Sequence, residues 1–384
     1  MSTGWIKPTP LSSDRLIDIN DFPIGLIDVE LSMPPTELVN DTAAVLLRAE
    51  HGPPTAVLRV ARGLLGGAEL RKQRSVLAEL AVQPRLDDEW RELLPRILAF
   101  DERANATLSV ESYRPGMDLA EVLARRPDLV GELTAAALSA IAPLHRGTAT
   151  FVVPDNLCLL RRWIIEPLEE LTAMCRQLDP LMVSEVDRLG PMLRRALVDR
   201  RISVSWTHGG YVPGNVRLAG VRGPVTGIVD WGAAGPGQPT LIDEYLMILT
   251  ASCQVERADL GKLIAERLRA GGLSDGERNA LHAAHDRSDA EICDHERIDE
   301  RLAILLTWLH QAADSWRKRA THPNHYVWWA TNVAPVIDVV SSWQRLDGSS
   351  GRAGAGRGTA AGAPMTTTPR LGGVSRNPGN QVTG

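Results

Sequence analysis

The sequence predicts an α+β protein of two lobes, a small β-rich N-lobe followed by a larger, mostly helical C-lobe. Three observations predict it. Two β-rich runs, Thr42–Arg48 and Thr55–Ala61, flank a Gly-Pro-Pro turn near the N-terminus. Beyond residue 117 apolar residues recur at helical spacing almost to Gln344. That helical remainder is interrupted once, between Ile202 and Trp231, by a second short hairpin.

Residues 1–35, rich in Pro, Asp and Ser, read as an irregular lead-in with one short strand. After the first hairpin, Ala68–Val82 reads as a helix, with Leu70, Leu77 and Leu80 on one face and Gln73 beside them. Arg85–Asp101 mixes charged and apolar residues around Pro84 and Pro95 and gives no clear period. A strand, Thr107–Tyr113, then enters Arg114-Pro115-Gly116, a linker between the lobes. Helices are expected at Asp118–Arg126, Pro127–His145, Arg161–Gln177 and Val183–Val198. Asn215–Leu218 and Val225–Trp231 read as the second hairpin, and the pattern is helical from Asp243 to Gln344. The boundaries are therefore 1–113 for the N-lobe, 114–346 for the C-lobe and 347–384 for a tail. The tail holds too few apolar residues to offset the entropy of ordering and is expected to be disordered.

Composition excludes several classes. A 44% hydrophobic and 23% charged chain of 384 residues can build a sizeable core. A net charge of −5 gives no electrostatic footprint for nucleic acid. Cys158, Cys175, Cys253 and Cys293 match no zinc or redox spacing, which fits a reducing cytoplasmic setting. No signal segment and no membrane-spanning apolar run is evident. There is no nucleophile elbow, dinucleotide fingerprint or Walker loop.

The chemistry-bearing signal is Thr207-His208-Gly209-Gly210-Tyr211-Val212-Pro213-Gly214-Asn215-Val216, followed by Ile228-Val229-Asp230-Trp231. Asn215 opens the second hairpin and Asp230 closes it, so an amide oxygen and a carboxylate can converge; both are hard ligands suited to Mg²⁺. Singly, each also reads as a turn cap or a strand end. This pair of motifs resembles the H-G-D-x-x-x-x-N and D-W signatures of the aminoglycoside phosphotransferase and choline kinase-like family, which implies a protein kinase-like fold. Weaker signals agree over roughly residues 40–250, in the family's order. Ala56-Val57-Leu58-Arg59-Val60 resembles the strand whose cation faces the nucleotide phosphates, and the helix holding Gln73 resembles the one that supplies a Glu. Tyr113-Arg114-Pro115-Gly116 resembles the hinge.

The resemblance implies roles for specific residues. Arg59 and Gln73 would serve the nucleotide, although a strand Arg also commonly faces solvent. Asn215 and Asp230 would hold Mg²⁺, and ATP would be the phosphoryl donor. His208 and Asp243 would support the catalytic loop, Asp243 alternatively serving as a helix N-cap; His145 would be structural. Three departures stand against full activity. Gly210 occupies the place of the Asp that accepts the acceptor hydroxyl's proton. Gln73 stands for Glu, with Glu69 one turn earlier as a substitute, and the phosphate-covering stretch Thr36–Thr42 has no Gly and two acids.

Two functions are therefore expected. The first is a degenerate, pseudokinase-like accessory or regulatory subunit that retains its Mg-nucleotide ligands and works with a protein partner. The alternative is an active ATP-dependent phosphotransferase on a hydroxyl of an antibiotic, natural product, sugar or peptide Ser/Thr. A bare binding module is a weaker third. Asp286–Glu300 holds seven acids, readable as a patch for cationic substrates or as a solvated face paired with Arg287, Arg297 and Arg301. Trp308, Trp316, Trp328, Trp329 and Trp343 make the last helices Trp-rich, with core packing as the main reading and a pocket or partner surface as the other.

Overall fold

A computed structural model describes residues 28–31, 42–48, 52–154, 157–198, 200–286, 298–319 and 325–353. The N-lobe is built on an antiparallel five-stranded sheet in the order β1-β2-β3-β5-β4. Its strands are β1 (Asp28–Leu31), β2 (Thr42–Arg48), β3 (Pro54–Ala61), β4 (Ile97–Arg103) and β5 (Ala106–Ser112). Between β3 and β4 run α1 (Leu64–Ala81) and the short α2 (Asp88–Arg91), the latter capped by the Asp87 carboxylate on the Trp90 N–H.

Strand alternation sorts the sheet's two faces. Val45, Leu47, Ala56, Ala99 and Val110 form one apolar cluster, with Leu58 and Leu108 packed against it. The opposite face carries Arg59, Thr107, Ser109 and Glu111, and α1 lies over it with Leu70, Gln73, Leu77 and Leu80 buried. Burying a polar sheet face is tolerable only because its groups pair with one another and with the helix.

The chain leaves β5 through Arg114-Pro115-Gly116 and enters the C-lobe at β6 (Met117–Asp118). β6 joins β9 (Val216–Leu218) and β10 (Val225–Ile228) in a three-stranded sheet ordered β10-β9-β6. A second small sheet, ordered β11-β8-β7, comprises β7 (Thr150–Val152), β8 (Ile202–Thr207) and β11 (Gly235–Pro239). The helices are α3 (Leu119–Arg125), α4 (Val130–Thr148), α5 (Leu157–Leu160), α6 (Glu166–Leu178), α7 (Val183–Leu197), α8 (Leu241–Glu256), α9 (Leu260–Ala270), α10 (Asp275–Asp286), α11 (Glu300–Arg319), α12 (His325–Asn332) and α13 (Ala334–Ala353). A wide π turn, Arg161–Ile165, joins α5 to α6. Helices α4, α8 and α11 run through the core, where Trp163, Trp231 and Trp308 are fully buried. Trp316 and Trp329 are buried as well, so core packing accounts for three of the tryptophans of the last helices. No helix among the described residues is long and apolar enough to cross a membrane.

The structure differs from the sequence reading in four places. The aperiodic stretch 85–101 contains α2 and leads into β4, whose edge position and mixed exposure hide its alternation. β11, Gly-Pro-Gly-Gln-Pro in sequence, has no strand composition; its place is set by backbone pairing of Gly235 to Thr207 and Gln238 to Ser205. β7, only three residues long, went unread for lack of a countable period. The chain divides into units at 1–341 and 342–384, and α13 continues to Ala353, past the expected tail boundary at Asp347. Extending a formed helix is far easier than nucleating one, so it runs on into sequence with few apolar residues. The rest of the expected tail, 354–384, lies outside the described residues, as do 36–41 of the phosphate-covering stretch and 287–297 of the acidic segment.

The linker is fixed by close approach. Gly116 has φ 141°, and a Cβ there would lie 2.7 Å from the Leu218 carbonyl oxygen. Thr226 Oγ1 donates to the Pro115 carbonyl at 2.6 Å, and Arg114 reaches the Leu94 carbonyl. Gly116→Ala should therefore destabilise the chain by about 1–3 kcal/mol in urea denaturation, through backbone strain and the clash. Gly131→Ala, in open space on α4, should be neutral or slightly stabilising. Equal stabilities for the two variants would show that the linker is not held as described.

Candidate active site

The loop between β8 and β9 is shaped by one carboxylate. Asp243 lies in the first turn of α8 and is completely buried. Its Oδ2 accepts from the His208 N–H at 2.6 Å and its Oδ1 from the Gly209 N–H at 2.9 Å. His145 Nε2, from α4, donates to the same Oδ2 at 3.0 Å. The carboxylate thus turns away from the α8 backbone and ties two successive loop amides to two helices; Asp243 is not the N-cap, a position that Thr240 occupies.

His208 extends the tie. Its Nδ1 accepts from the Gly210 N–H at 3.3 Å, so Nε2 carries the proton and donates to the Val229 carbonyl at 2.9 Å. Burial holds the imidazole below its ordinary pKa against the attraction of Asp243. The ring lies 4.6 Å from that of Trp231 and 5.6 Å from that of Tyr211. Tyr211 donates to the Ala137 carbonyl at 2.6 Å, and burial raises its pKa well above the usual phenol. Gly209 has φ 74°, and a Cβ there would meet the Ala233 carbonyl oxygen at 2.6 Å, so this position needs glycine.

Gly210 is different. Its φ is not positive, and a Cβ would find only His208 Nδ1, at 3.9 Å. Both of its backbone groups are used: the N–H by His208 and the carbonyl by Asn215 Nδ2, at 2.9 Å. The Asn215 carbonyl in turn accepts from Val229 N–H at 2.9 Å, bringing the two ends of the β9–β10 hairpin together. Asp230 follows in the left-handed conformation, φ 70° and ψ 59°, with a carboxylate 52% exposed. Although its surroundings desolvate the carboxyl, Arg59, then His208 and Lys318, hold it below its ordinary pKa.

Arg59 crosses from the other lobe, its Nη1 lying 3.4 Å from Asp230 Oδ1. On its other side Nε lies 3.4 Å from Glu111 Oε1, and Gln73 Nε2 donates to that oxygen at 2.5 Å. Glu111 is almost fully buried; burial raises its carboxyl and Arg59 opposes that rise. Against the cost of its own burial, Glu111 and then Asp230 raise the guanidinium of Arg59. Gln73 is therefore placed beside Glu111 and bonds it, while Glu69 pairs with Lys318 at 3.3 Å. Glu111 was missed because its partner lies across a strand pair: Arg59 faces Ser109, and Glu111 is two residues on, on the same face. An acid inside the run Thr107–Tyr113 was the available signal.

Asn215 and Asp230 fit a divalent cation by donor chemistry. With Nδ2 committed to Gly210, the amide presents its oxygen elsewhere, and the Asp230 carboxylate is half exposed. Two hard oxygens suit Mg²⁺, which keeps waters and takes further ligands from phosphates. No cluster of three or more His, Cys, Asp or Glu able to hold a metal by itself occurs among the described residues. Of the acidic segment, Asp299 pairs with Arg301 at 3.4 Å and Glu300 with Arg278 at 2.9 Å.

The Glu111 carboxylate should matter for stability. Glu111→Ala leaves Arg59 without its partner on the sheet, and about 3–5 kcal/mol should be lost in urea unfolding. Moving the acid, as Gln73→Glu with Glu111→Gln, should recover most of that loss. Wild-type stability in Glu111→Ala would show that the pair contributes nothing.

Among curated proteins none matches the chain. Solved structures to which the chain is similar include an aminoglycoside-3'-phosphotransferase of type VIII, 16% identical, covering 75% of this chain and 93% of its own at a TM-score of 0.49. A choline kinase from Cryptosporidium parvum Iowa II is 10% identical, covering 86% and 93%, at 0.48. An aminoglycoside phosphotransferase from Streptomyces rimosus, in complex with ADP and streptomycin, is 15% identical, covering 68% and 90%, at 0.41. The model of the phosphotransferase enzyme family matches residues 38–280, well over half of the sequence, with the Asp243-tied loop, the hairpin and Arg59 inside the match. The chain belongs to the phosphotransferase enzyme family, and its described residues form an α+β fold in which a five-stranded sheet is followed by a mostly helical part.

Proposed function

We propose that the chain binds a Mg-nucleotide but transfers phosphoryl groups poorly or not at all, serving as a pseudokinase-like accessory or regulatory subunit of a protein partner in the cytoplasm. One observation carries this reading: position 210 has room for a side chain and no backbone need for glycine, yet the base is absent inside a fully bonded loop. Phosphoryl transfer relies on positioning and charge, with one group to orient the hydroxyl and take its proton. Losing such a base costs ~10²–10⁴ in rate. Asn215 and Asp230 would hold Mg²⁺, which would neutralise charge on the phosphates. Arg59, aimed by Glu111, would hold phosphate oxygens by charge and a forked donor set.

Glu111 favours a second reading. It returns a buried carboxylate to the Arg59 cation from the sheet, so the Gln73 departure does not by itself disarm the nucleotide site. The second reading is accordingly an active ATP-dependent phosphotransferase on a hydroxyl of an antibiotic, natural product, sugar or peptide Ser/Thr.

Position 210 separates the two. The unmodified chain should show little or no Mg²⁺-dependent ADP release over hours. Gly210→Asp should give measurable release, lost again on adding Asp230→Ala. Mg-ATP should also raise the melting temperature of the parent and not of Asp230→Ala, since a ligand bound to the native state stabilises it. Robust turnover by the parent, abolished by Asp230→Ala, would overturn the first reading and establish the second.

A further inference from the structure

Beside the Gly210 loop lies a cavity of about 360 Å³ that uses neither Arg59 nor Asp230. Gly209 and Ala233 form its wall on the loop side, and helices from both lobes close it. Helix α1 contributes Glu69 and Lys72, one turn apart; α11 contributes Asp314, Arg317 and Lys318, again on one face. Only four lysines occur in the whole sequence, and two of them line this cavity.

The charges there do not balance. Lys318 lies 3.0 Å from Asp314 and 3.3 Å from Glu69, and Arg317 lies 3.4 Å from Asp314. Both carboxylates are therefore engaged by α11. Lys72 has no carboxylate partner among the described residues; its ammonium donates to the Ala233 carbonyl at 3.1 Å, leaving two N–H groups. A further cation, Arg162, lies outside the lining but within electrostatic reach of Lys72; its Nη1 is 3.5 Å from where a Cβ on Gly237 would lie, and it too has no ion pair among the described residues. Burial first, with repulsion from Arg162 and Arg317, holds Lys72 below its ordinary pKa despite Asp314 and Glu69. Gln238 also lines the cavity, with its buried Oε1 free of any hydrogen-bond partner. Three cations against two carboxylates leave an excess of one positive charge in the lining of a cavity that opens beside Gly209, and Lys72 carries it without an ion pair among the described residues.

We infer that this cavity binds the phosphate group of a hydroxylated phosphate monoester, with Lys72 and Arg317 as its direct partners and Arg162 and Lys318 supplying field. A phosphate monoester offers three acceptor oxygens, enough to take the two remaining N–H groups of Lys72 and the Arg317 guanidinium together, where a monocarboxylate offers two. A cationic ligand would meet repulsion on entry. That the ligand is a phosphoryl acceptor rests on the phosphotransferase reading above; that the cavity is an anion site does not.

The test is calorimetric titration of the full chain with inorganic phosphate, at constant ionic strength maintained with chloride. Acetate and glucosamine serve as the monoanionic and cationic comparisons. Phosphate should bind saturably and more tightly than acetate, and glucosamine should not bind. Lys72→Met should weaken phosphate at least about tenfold, the scale expected for losing one charged hydrogen bond. Lys72→Arg should restore most of the affinity. Lys262→Met, a remote surface change on α9, should have no effect. Phosphate affinity unchanged in Lys72→Met, no phosphate binding at all, or glucosamine binding in preference, would each overturn the assignment. Mg-ATP is titrated into the same samples. Lys72-dependent phosphate binding without any Mg-ATP binding supports the anion site while removing the nucleotide reading.

Discussion

A single buried carboxylate sets the geometry on which the candidate site depends. Asp243 accepts two consecutive loop amides and an imidazole from α4, so the His208–Gly210 turn is tied to two core helices at once. An ionised group without water is costly unless its lone pairs are used, and here three donors use them. The second tie, His208 Nε2 to the Val229 carbonyl, carries the restraint from the loop to the residue before Asp230. Trp231, fully buried and directly after Asp230, packs on His208 and on Trp90. The left-handed Asp230 is a strained residue, and such strain persists only where the surroundings over-determine it.

One chain of polar groups runs from the N-lobe to this rigid base beside the contacts of Lys72 and Glu69. Gln73, Glu111, Arg59 and Asp230 run from α1 across the sheet to the C-lobe, each in contact with the next. A buried guanidinium between two carboxylates keeps its charge, and its direction is fixed from both ends. The acid of this chain sits on β5, where the neighbouring strand sets its distance from Arg59 through backbone register. A helix can rotate or slide relative to a sheet; a strand two residues out of step cannot.

How far the sequence revealed this depends on whether the determining contact is local. The hairpins, α1 and the long C-lobe helices were legible because their hydrophobic period is local, as in Leu70, Leu77 and Leu80. The His208–Asn215 and Asp230 motifs were legible because their spacing is local, although the roles of Asp243 as N-cap or loop tie could not be separated without coordinates. Glu111 was hidden because its partners come from three elements, and β11 because its pairing, not its composition, makes it a strand. The cavity charge balance was invisible for the same reason: Lys72 and Lys318 stand far apart in sequence, and only the packing of α1 near α11 brings them to one space.

Position 210 shows how scaffold and chemistry come apart in such a loop. Every bond that holds the turn uses backbone groups of residues 208–210 or the side chains of His208, Asn215 and Asp243; none uses a side chain at 210. An acid there would add charge beside a neutral imidazole and a cation-rich cavity, but no structural restraint. On the proposed reading, the absence of an acid there would remove a proton acceptor while leaving fold, hairpin and Arg59 chain in place. By the same logic stability cannot report on activity at this position: a variant that alters only residue 210 leaves unchanged what holds the site together.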